Sequence, residues 1–192
     1  MKKWLVPVLI IAVLVIFGVK SYNGMVTQRN SAEQQWANVE SAYQRRADLV
    51  PNLVATVKGY AAHEKETLEG VVNARAKATA TTVDVANATP EQLAQFQQAQ
   101  QGLSSALSRL LVTVEKYPDL KANQNFLELQ SQLEGTENRI NIERNRFNEV
   151  ATTYRNTIQK FPNNLFAGVF GFDALPLFSS AEGSDVVPEV QF

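Results

Sequence analysis

The sequence contains no cysteine and a single histidine, His63, among its 192 residues. The absence of cysteine excludes disulfides, thiolate zinc sites, a cysteine nucleophile and lipoprotein processing at the N-terminus. One histidine cannot form a zinc site built on two or three imidazoles. It also cannot supply the two Glu-x-x-His motifs of a di-iron carboxylate bundle. We therefore interpret His63 as a solvated or capping residue and predict no metal site.

Catalytic motifs are missing as well. The chain has no Gly-rich phosphate-binding loop and no nucleophile elbow. Ser104, Ser105 and Ser108 lie in a predicted helix, and no histidine accompanies them in the motif. We predict no catalytic residues and no cofactor, so the sequence indicates a protein that is not an enzyme.

The chain also lacks an excess of basic residues. It has 18 Lys and Arg against 19 Asp and Glu, a formal net charge of −1. Lys2, Lys3 and Lys20 flank the N-terminal apolar run. Without them the chain has 15 basic and 19 acidic residues, a net charge of −4. A mildly acidic surface without a basic stripe argues against nucleic-acid binding.

The N-terminal apolar run is the most distinctive segment that is present. Residues 4–19 are uncharged, with Lys2 and Lys3 before them and Lys20 after them. Sixteen residues fall short of the roughly 20 that span a bilayer, and snorkelling of the flanking lysines supplies the difference. We predict a short tail over residues 1–3 and a transmembrane helix over residues 4–20, with the lipid bilayer as its partner.

A cleaved signal peptide is the alternative interpretation of this run. Cleavage needs small residues at positions −3 and −1, and the residues after Phe17 provide only poor sites. We therefore favour an uncleaved anchor. The lysines before the helix favour a cytoplasmic N-terminus, which places the rest of the chain on the exported side of a bacterial inner membrane.

Apolar residues recur at helical spacing through the rest of the chain. Three long helices are predicted, over residues 22–79, 90–117 and 120–160, with Pro51 expected to kink or restart the first one. Glycine and proline are few, 9 and 7, which favours long helices. We predict an all-α fold, with an antiparallel up-and-down bundle of three to four long helices over residues 21–161. The seven-residue seams contain these positions: Trp36, Tyr43, Val50, Val57 and Val71, then Leu93, Phe96, Leu103, Leu107, Leu110 and Val114, then Phe126, Leu133, Ile140, Phe147, Tyr154 and Phe161.

The C-terminal residues 162–192 differ from the rest. Four phenylalanines fall within residues 165–178, a stretch too short and too broken by Gly, Asp and Pro to span a membrane. One interpretation is a tail packed back on the bundle. The other is an interface with a partner, another protomer or the membrane surface. Residues 179–192 are predicted to be flexible. The candidate interface residues are Phe166, Phe170, Phe172 and Phe178.

Polar motifs between the seam positions carry a family resemblance. They include RRADLVPNL at 45–53, VKGYA at 57–61, EKYPDLKAN at 115–123 and ENRI at 137–140. In this order they resemble the LemA family over essentially the whole chain, with Phe147-Asn148 where members commonly have Tyr-Asn. The resemblance implies an N-terminal transmembrane helix, an antiparallel helical bundle and no known catalytic activity or cofactor. It also implies an envelope role, since such genes often neighbour those of membrane metallopeptidases.

Several charged residues fall on or near the apolar seams. Arg46 lies on one row of the first seam and Glu143 on a row of the third. Because buried charges are costly unless they are paired, we predict interhelical ion pairs that fix register, with Arg46 and Glu115 as one pairing. A functional surface for a ligand or partner is the alternative. The residues assigned to these pairs are Arg45 or Arg46, Glu115, Glu137 and Arg139.

Two functional hypotheses follow. The first is a membrane-anchored scaffold that self-associates into a homo-oligomer through coiled-coil-like contacts. Its helix surfaces are rich in glutamine, which is polar without repelling its neighbours. The second is an adaptor or sensor subunit for an envelope enzyme, such as a membrane protease. These glutamines are Gln92, Gln95, Gln97, Gln98, Gln100 and Gln101.

Overall fold

A computed structural model describes residues 4–179, and every regular element in that range is an α-helix. The prediction of an all-α fold is confirmed. The predictions for residues 1–3 and for the flexible end over residues 180–192 lie outside the described residues. The helices are α1 (Leu5–Tyr60), α2 (Lys65–Ala80), α3 (Pro90–Val114), α4 (Pro118–Lys121), α5 (Gln124–Gln159) and α6 (Asn163–Phe170).

The N-terminal apolar run and the first long helix form one uninterrupted helix of 56 residues, α1. Its apolar side chains between Val6 and Val19 are exposed, and from Met25 onward its apolar face is buried. Within residues 4–179, α1 is the one helix long and apolar enough to cross a membrane.

Helix α1 does not restart at Pro51, which lies inside it. A proline lacks the N–H that would bond the carbonyl four residues earlier, here that of Ala47. The Nε of Arg75 on α2 donates to this carbonyl at 2.7 Å. Because the orphaned acceptor has this partner, the helix continues to Tyr60, and the chain breaks over residues 61–64 instead.

Helix α3 begins where its sequence predicts. The Thr89 hydroxyl accepts from the Gln92 backbone N–H, and the Gln92 amide oxygen accepts from the Thr89 N–H, which together form a capping box. Pro90 occupies the first turn, where its missing N–H costs nothing. Pro118 both follows the end of α3 and opens the short helix α4.

Helices α1 and α5 pack along each other and run in opposite directions. Gln35 of α1 bonds Glu143 of α5, and Arg46, farther along α1, bonds Glu137, so residue numbers fall on α5 as they rise on α1. Helix α2 packs on α3 and α1. Side-chain hydrogen bonds join Ser21 to Asn163, Gln35 to Glu143, Arg46 to Glu137 and Tyr60 to Asn123.

The buried apolar side chains form two clusters at successive levels of the molecule. The cluster nearer the apolar run contains Trp36, Phe96 and Phe147. The cluster farther from it contains Leu110 and Phe126. Both clusters draw on α1, α3 and α5. The predicted seam residues are buried in these clusters except Phe161, which follows the end of α5 and is 80% exposed.

We expect that Arg75→Met destabilises the protein by about 1–2 kcal/mol, because the Ala47 carbonyl then loses its partner. In a Pro51→Ala background the same change is expected to cost less, since the new N–H at position 51 can bond that carbonyl. Chemical denaturation followed by circular dichroism measures both costs. The control is Lys77→Met, an exposed basic residue on α2, expected within about 0.5 kcal/mol of wild type. Equal costs of Arg75→Met in both backgrounds would contradict this account.

Candidate functional site

A buried arginine lies at the centre of the helical body. Arg46 on α1 is 2% exposed, and its guanidinium makes hydrogen bonds to two other helices. Its Nη1 donates to Ser104 Oγ on α3 at 2.6 Å and to Glu137 Oε2 on α5 at 2.9 Å. Its Nη2 donates to the backbone oxygen of Gln100 at 3.0 Å and to the side-chain oxygen at 2.8 Å.

Gln100 extends this network to a fourth helix. Its side chain is buried, accepts from Arg46 and donates through Nε2 to the Ala78 carbonyl on α2 at 3.1 Å. The glutamine that interrupts the apolar seam of α3 is therefore the partner of the arginine that interrupts the seam of α1. Together these bonds join α1, α2, α3 and α5 at one level.

This polar layer separates the two apolar clusters. On α1, Arg46 falls between Tyr43 of one cluster and Val50 of the other. On α3, Gln100 likewise falls between Phe96 and Leu103. A buried guanidinium needs its partners at fixed positions. The network therefore specifies how the helices align along their axes.

A cavity of about 230 Å³ lies beside Arg46. Gln97, Tyr43 and Arg144 are among its lining residues, and burial raises the pKa of Tyr43, against the opposing effect of Arg144 and Arg46. Tyr43 is therefore a neutral hydroxyl at neutral pH. The Ser104 hydroxyl oxygen accepts a hydrogen bond from Arg46, and no imidazole lines the cavity. The described cavity offers hydrogen-bond donors and acceptors without a nucleophile and its base.

The histidine lies far from this layer, in the connection between α1 and α2. The Tyr117 hydroxyl is 2.6 Å from His63 Nε2 and donates to Glu64 Oε1 at 2.8 Å. The hydrogen bond to Glu64 is the main cause that raises the pKa of Tyr117. These contacts join the end of α3 to the α1–α2 connection. Among residues 4–179, His, Cys, Asp and Glu form no group of three that could hold a metal ion.

The other residues assigned to interhelical ion pairs lie elsewhere. Glu115 pairs with Lys121 at the exposed end of α3, not with Arg46. Arg139 pairs with Glu143 one turn along the same helix, at 2.6 Å. Arg45 is exposed, and within residues 4–179 it has no ion pair. Of the predicted set, Arg46 and Glu137 join two long helices, and Glu115 joins the end of α3 to Lys121 of the short helix α4.

Glu143 is a second buried charge, and it was noticed in the sequence but not assigned a pairing. Its carboxylate is almost fully buried and accepts from Arg139, Arg146 and, across the helix pair, Gln35 on α1. Its position on a predicted seam row was the available signal. The Gln35 contact adds a second polar link between α1 and α5.

Two of the four phenylalanines assigned to an interface lie inside the protein. Phe178 stacks on Trp36 at 5.6 Å between ring centroids. The guanidinium carbon of Arg144 lies over the Phe178 ring, 4.7 Å from its centroid. Phe172 is also buried. The side chain of Asn148 accepts from the Phe178 N–H and donates to its carbonyl, both at 2.9 Å. Residues 172–179 therefore pack back on the helices.

The other two phenylalanines lie against α1 near the end of the apolar run. Phe166 is half-buried, with its ring centroid 6.0 Å from that of Phe17. Phe170 is exposed, and its ring packs edge-on against Tyr22 at 5.1 Å. The four candidate residues thus belong to two different environments, which composition did not separate.

An open groove of about 1110 Å³ runs along α1 and α5. Small residues, including Ala37, Ser41 and Gly135, line part of it. The charged residues that line it are two acids and two bases, Glu40, Asp48, Arg45 and Arg139.

A double-mutant cycle between Arg46→Met and Glu137→Gln is expected to give a coupling energy of roughly 1 kcal/mol, since the two groups share a hydrogen bond. The matched cycle between Arg46→Met and Glu115→Gln is expected to be additive within about 0.5 kcal/mol. Denaturant unfolding measures each variant. Coupling to Glu115 but not to Glu137 would contradict the observed pairing.

The sequence is similar to those of several known proteins. Magnetosome protein MamQ of Magnetospirillum gryphiswaldense is 27% identical over 193 residues, covering 88% of this chain and 70% of that protein. Magnetosome protein MamQ 1 of Paramagnetospirillum magneticum is 27% identical over 185 residues, covering 85% and 66%. Protein LemA of Metamycoplasma hominis is 24% identical over 160 residues, covering 83% and 69%. The chain thus spans about two thirds of the length of these relatives.

The family itself is shown by a match to a family profile. Residues 35–192 match the sequence profile of the LemA family, which covers most of the chain and all of the polar layer around Arg46. The motifs that resembled this family therefore identified it correctly, and the chain belongs to the LemA family.

Proposed function

We propose that this protein is a non-enzymatic, membrane-anchored helical scaffold that self-associates in a bacterial cell envelope. The observation that carries the proposal is the continuity of α1, whose exposed apolar section and buried section belong to one helix. Such a helix holds a folded body at a fixed distance from a bilayer.

The exposed section of α1 has the properties of a membrane span. Its apolar side chains from Val6 to Ile16 are exposed, and in its last turn Phe17 and Gly18 lie against Phe166 on α6. Sixteen residues rise about 24 Å, and snorkelling lysines extend this towards the roughly 30 Å of a hydrocarbon core. The lysines before the helix favour an inner-membrane span with the body on the exported side.

The body is proposed to act as an antiparallel up-and-down bundle of α1, α2, α3 and α5. The opposite directions of α1 and α5 and the packing of α2 on α3 support this. The polar layer around Arg46 supports a unique register. A cavity without a nucleophile and base supports a structural role rather than a catalytic one.

The groove along α1 and α5 is the proposed contact between copies. Its small residues allow a second backbone to approach closely. Glu40 and Asp48 balance Arg45 and Arg139, so a second copy related by a two-fold axis can oppose unlike charges. Confinement of both copies to one membrane plane raises their effective concentration.

Substitution of two anchor residues tests the membrane span. Leu9→Arg with Val13→Arg is expected to move the protein out of carbonate-washed membranes, since each arginine at a span centre costs roughly 2.5–3.5 kcal/mol. The control is Val72→Arg with Val112→Arg, two exposed valines of the body, which is expected to stay in the membrane fraction. Retention of both variants in membranes would refute the anchor.

Single-cysteine variants test self-association without background, because the chain has no cysteine. Ser41→Cys lies in the groove and is expected to give a disulfide-linked dimer when native membranes are oxidised. Ser105→Cys, also exposed and on α3, is the control and is expected to remain monomeric.

Two outcomes would overturn self-association through the groove: no dimer at position 41, or equal dimer at both positions. Purification in mild detergent adds a separate criterion. A second protein recovered at fixed stoichiometry, with no homo-oligomer, would replace the scaffold with the adaptor for an envelope enzyme.

A further inference from the structure

Helix α6 meets α1 at the level where the apolar run ends. Asn163 accepts a hydrogen bond from the Ser21 hydroxyl at 2.7 Å. The Phe166 ring lies against Gly18, where an added Cβ would come within 3.2 Å of it. Gly18 therefore permits this close approach, and α6 is held against the last turns of the proposed span.

The contacts of α6 indicate that it lies across α1 rather than along it. Its first residue, Asn163, is level with Ser21, and its last, Phe170, is level with Tyr22. Its middle residue, Phe166, contacts Phe17, about one turn deeper in the span. A helix with both ends at one level and its middle slightly deeper lies nearly parallel to the membrane plane.

The faces of α6 have opposite environments. Ala167 is buried in the apolar cluster of the body. Leu165 and Val169 are two residues away on either side, which places each about 160° from Ala167 around the helix. They are 60% and 80% exposed. Because Ala167 faces the body, Leu165 and Val169 face away from it.

The surrounding sequence has no charge that would oppose burial in lipid. Residues 161–172 contain no Asp, Glu, Lys or Arg, and Lys160 and Asp173 flank them. Phe161 is also among the exposed apolar side chains of this segment. An uncharged apolar face at the edge of a membrane span is typical of an interfacial helix.

We propose that α6 is a second membrane contact, an interfacial helix whose Leu165 and Val169 side chains insert into the boundary between lipid headgroups and acyl chains. This rests on the proposed span of α1, which sets the depth of α6. The occupant of the exposed face is therefore lipid, and the protein is held to the bilayer at two points along its chain.

Spin labels on single cysteines of the full chain, reconstituted in vesicles of phosphatidylethanolamine and phosphatidylglycerol, test this. Collision with oxygen, which concentrates in lipid, is compared with collision with a water-soluble nickel chelate. Val169→Cys is expected to show the lipid pattern. Val112→Cys, 69% exposed on α3, is the matched control and is expected to show the water pattern.

A third label, at Val13→Cys in the span, separates this inference from the proposed function. Lipid pattern at 13 with water pattern at 169 would overturn the interfacial helix and leave the anchor. Water pattern at 13 would overturn the anchor, and with water pattern at 169 both proposals fall. Lipid pattern at 169 but water pattern at 13 would reject the span and overturn the interfacial helix as proposed, because the span sets its depth.

Discussion

The buried guanidinium of Arg46 is the interaction on which the helical body depends. A charge in this position must be met by acceptors at fixed distances, or its desolvation is not offset. Those acceptors come from α3 and α5, and Gln100 also donates to a backbone carbonyl of α2, which links this helix to the same layer. Apolar seams alone tolerate a shift of one heptad between helices. A polar layer does not, because such a shift would leave the arginine without partners.

The apolar pattern of the sequence predicted the core and the helices well. Trp36, Leu110 and Phe147 recur at seam spacing and are buried where that spacing places them. The same pattern marked Arg46 as a polar exception on a seam row. Gln100 also interrupts a seam row, but it was counted with the glutamines of the helix surfaces and is buried instead. It could not pair Arg46 with Glu137 rather than Glu115, because periodicity within a helix carries no information on the axial alignment of two helices.

Longer-range contacts account for the remaining differences. Pro51 predicted a break, yet Arg75, 28 residues from Ala47, supplies the donor that the proline lacks. The sequence around Phe172 and Phe178 contains no signal that separates these buried residues from Phe166 and Phe170. Asn148 determines the position of Phe178, 30 residues away, by bonding both of its backbone groups. Patterns of neighbouring residues cannot predict hydrogen bonds between residues this far apart in the sequence.

The uninterrupted course of α1 has a geometric consequence for the whole molecule. Each residue of a helix turns the chain by about 100° and advances it by about 1.5 Å. With no hinge between the apolar section and Met25, the direction in which the α1–α5 groove points is set by the rotation of the apolar section about its own axis. An insertion of one residue between them would turn the groove by about 100° around the helix axis, while four residues would leave it about 40° from its original direction. The segment around Ser21 thus determines the angle around the axis of α1 between the exposed apolar section and the groove.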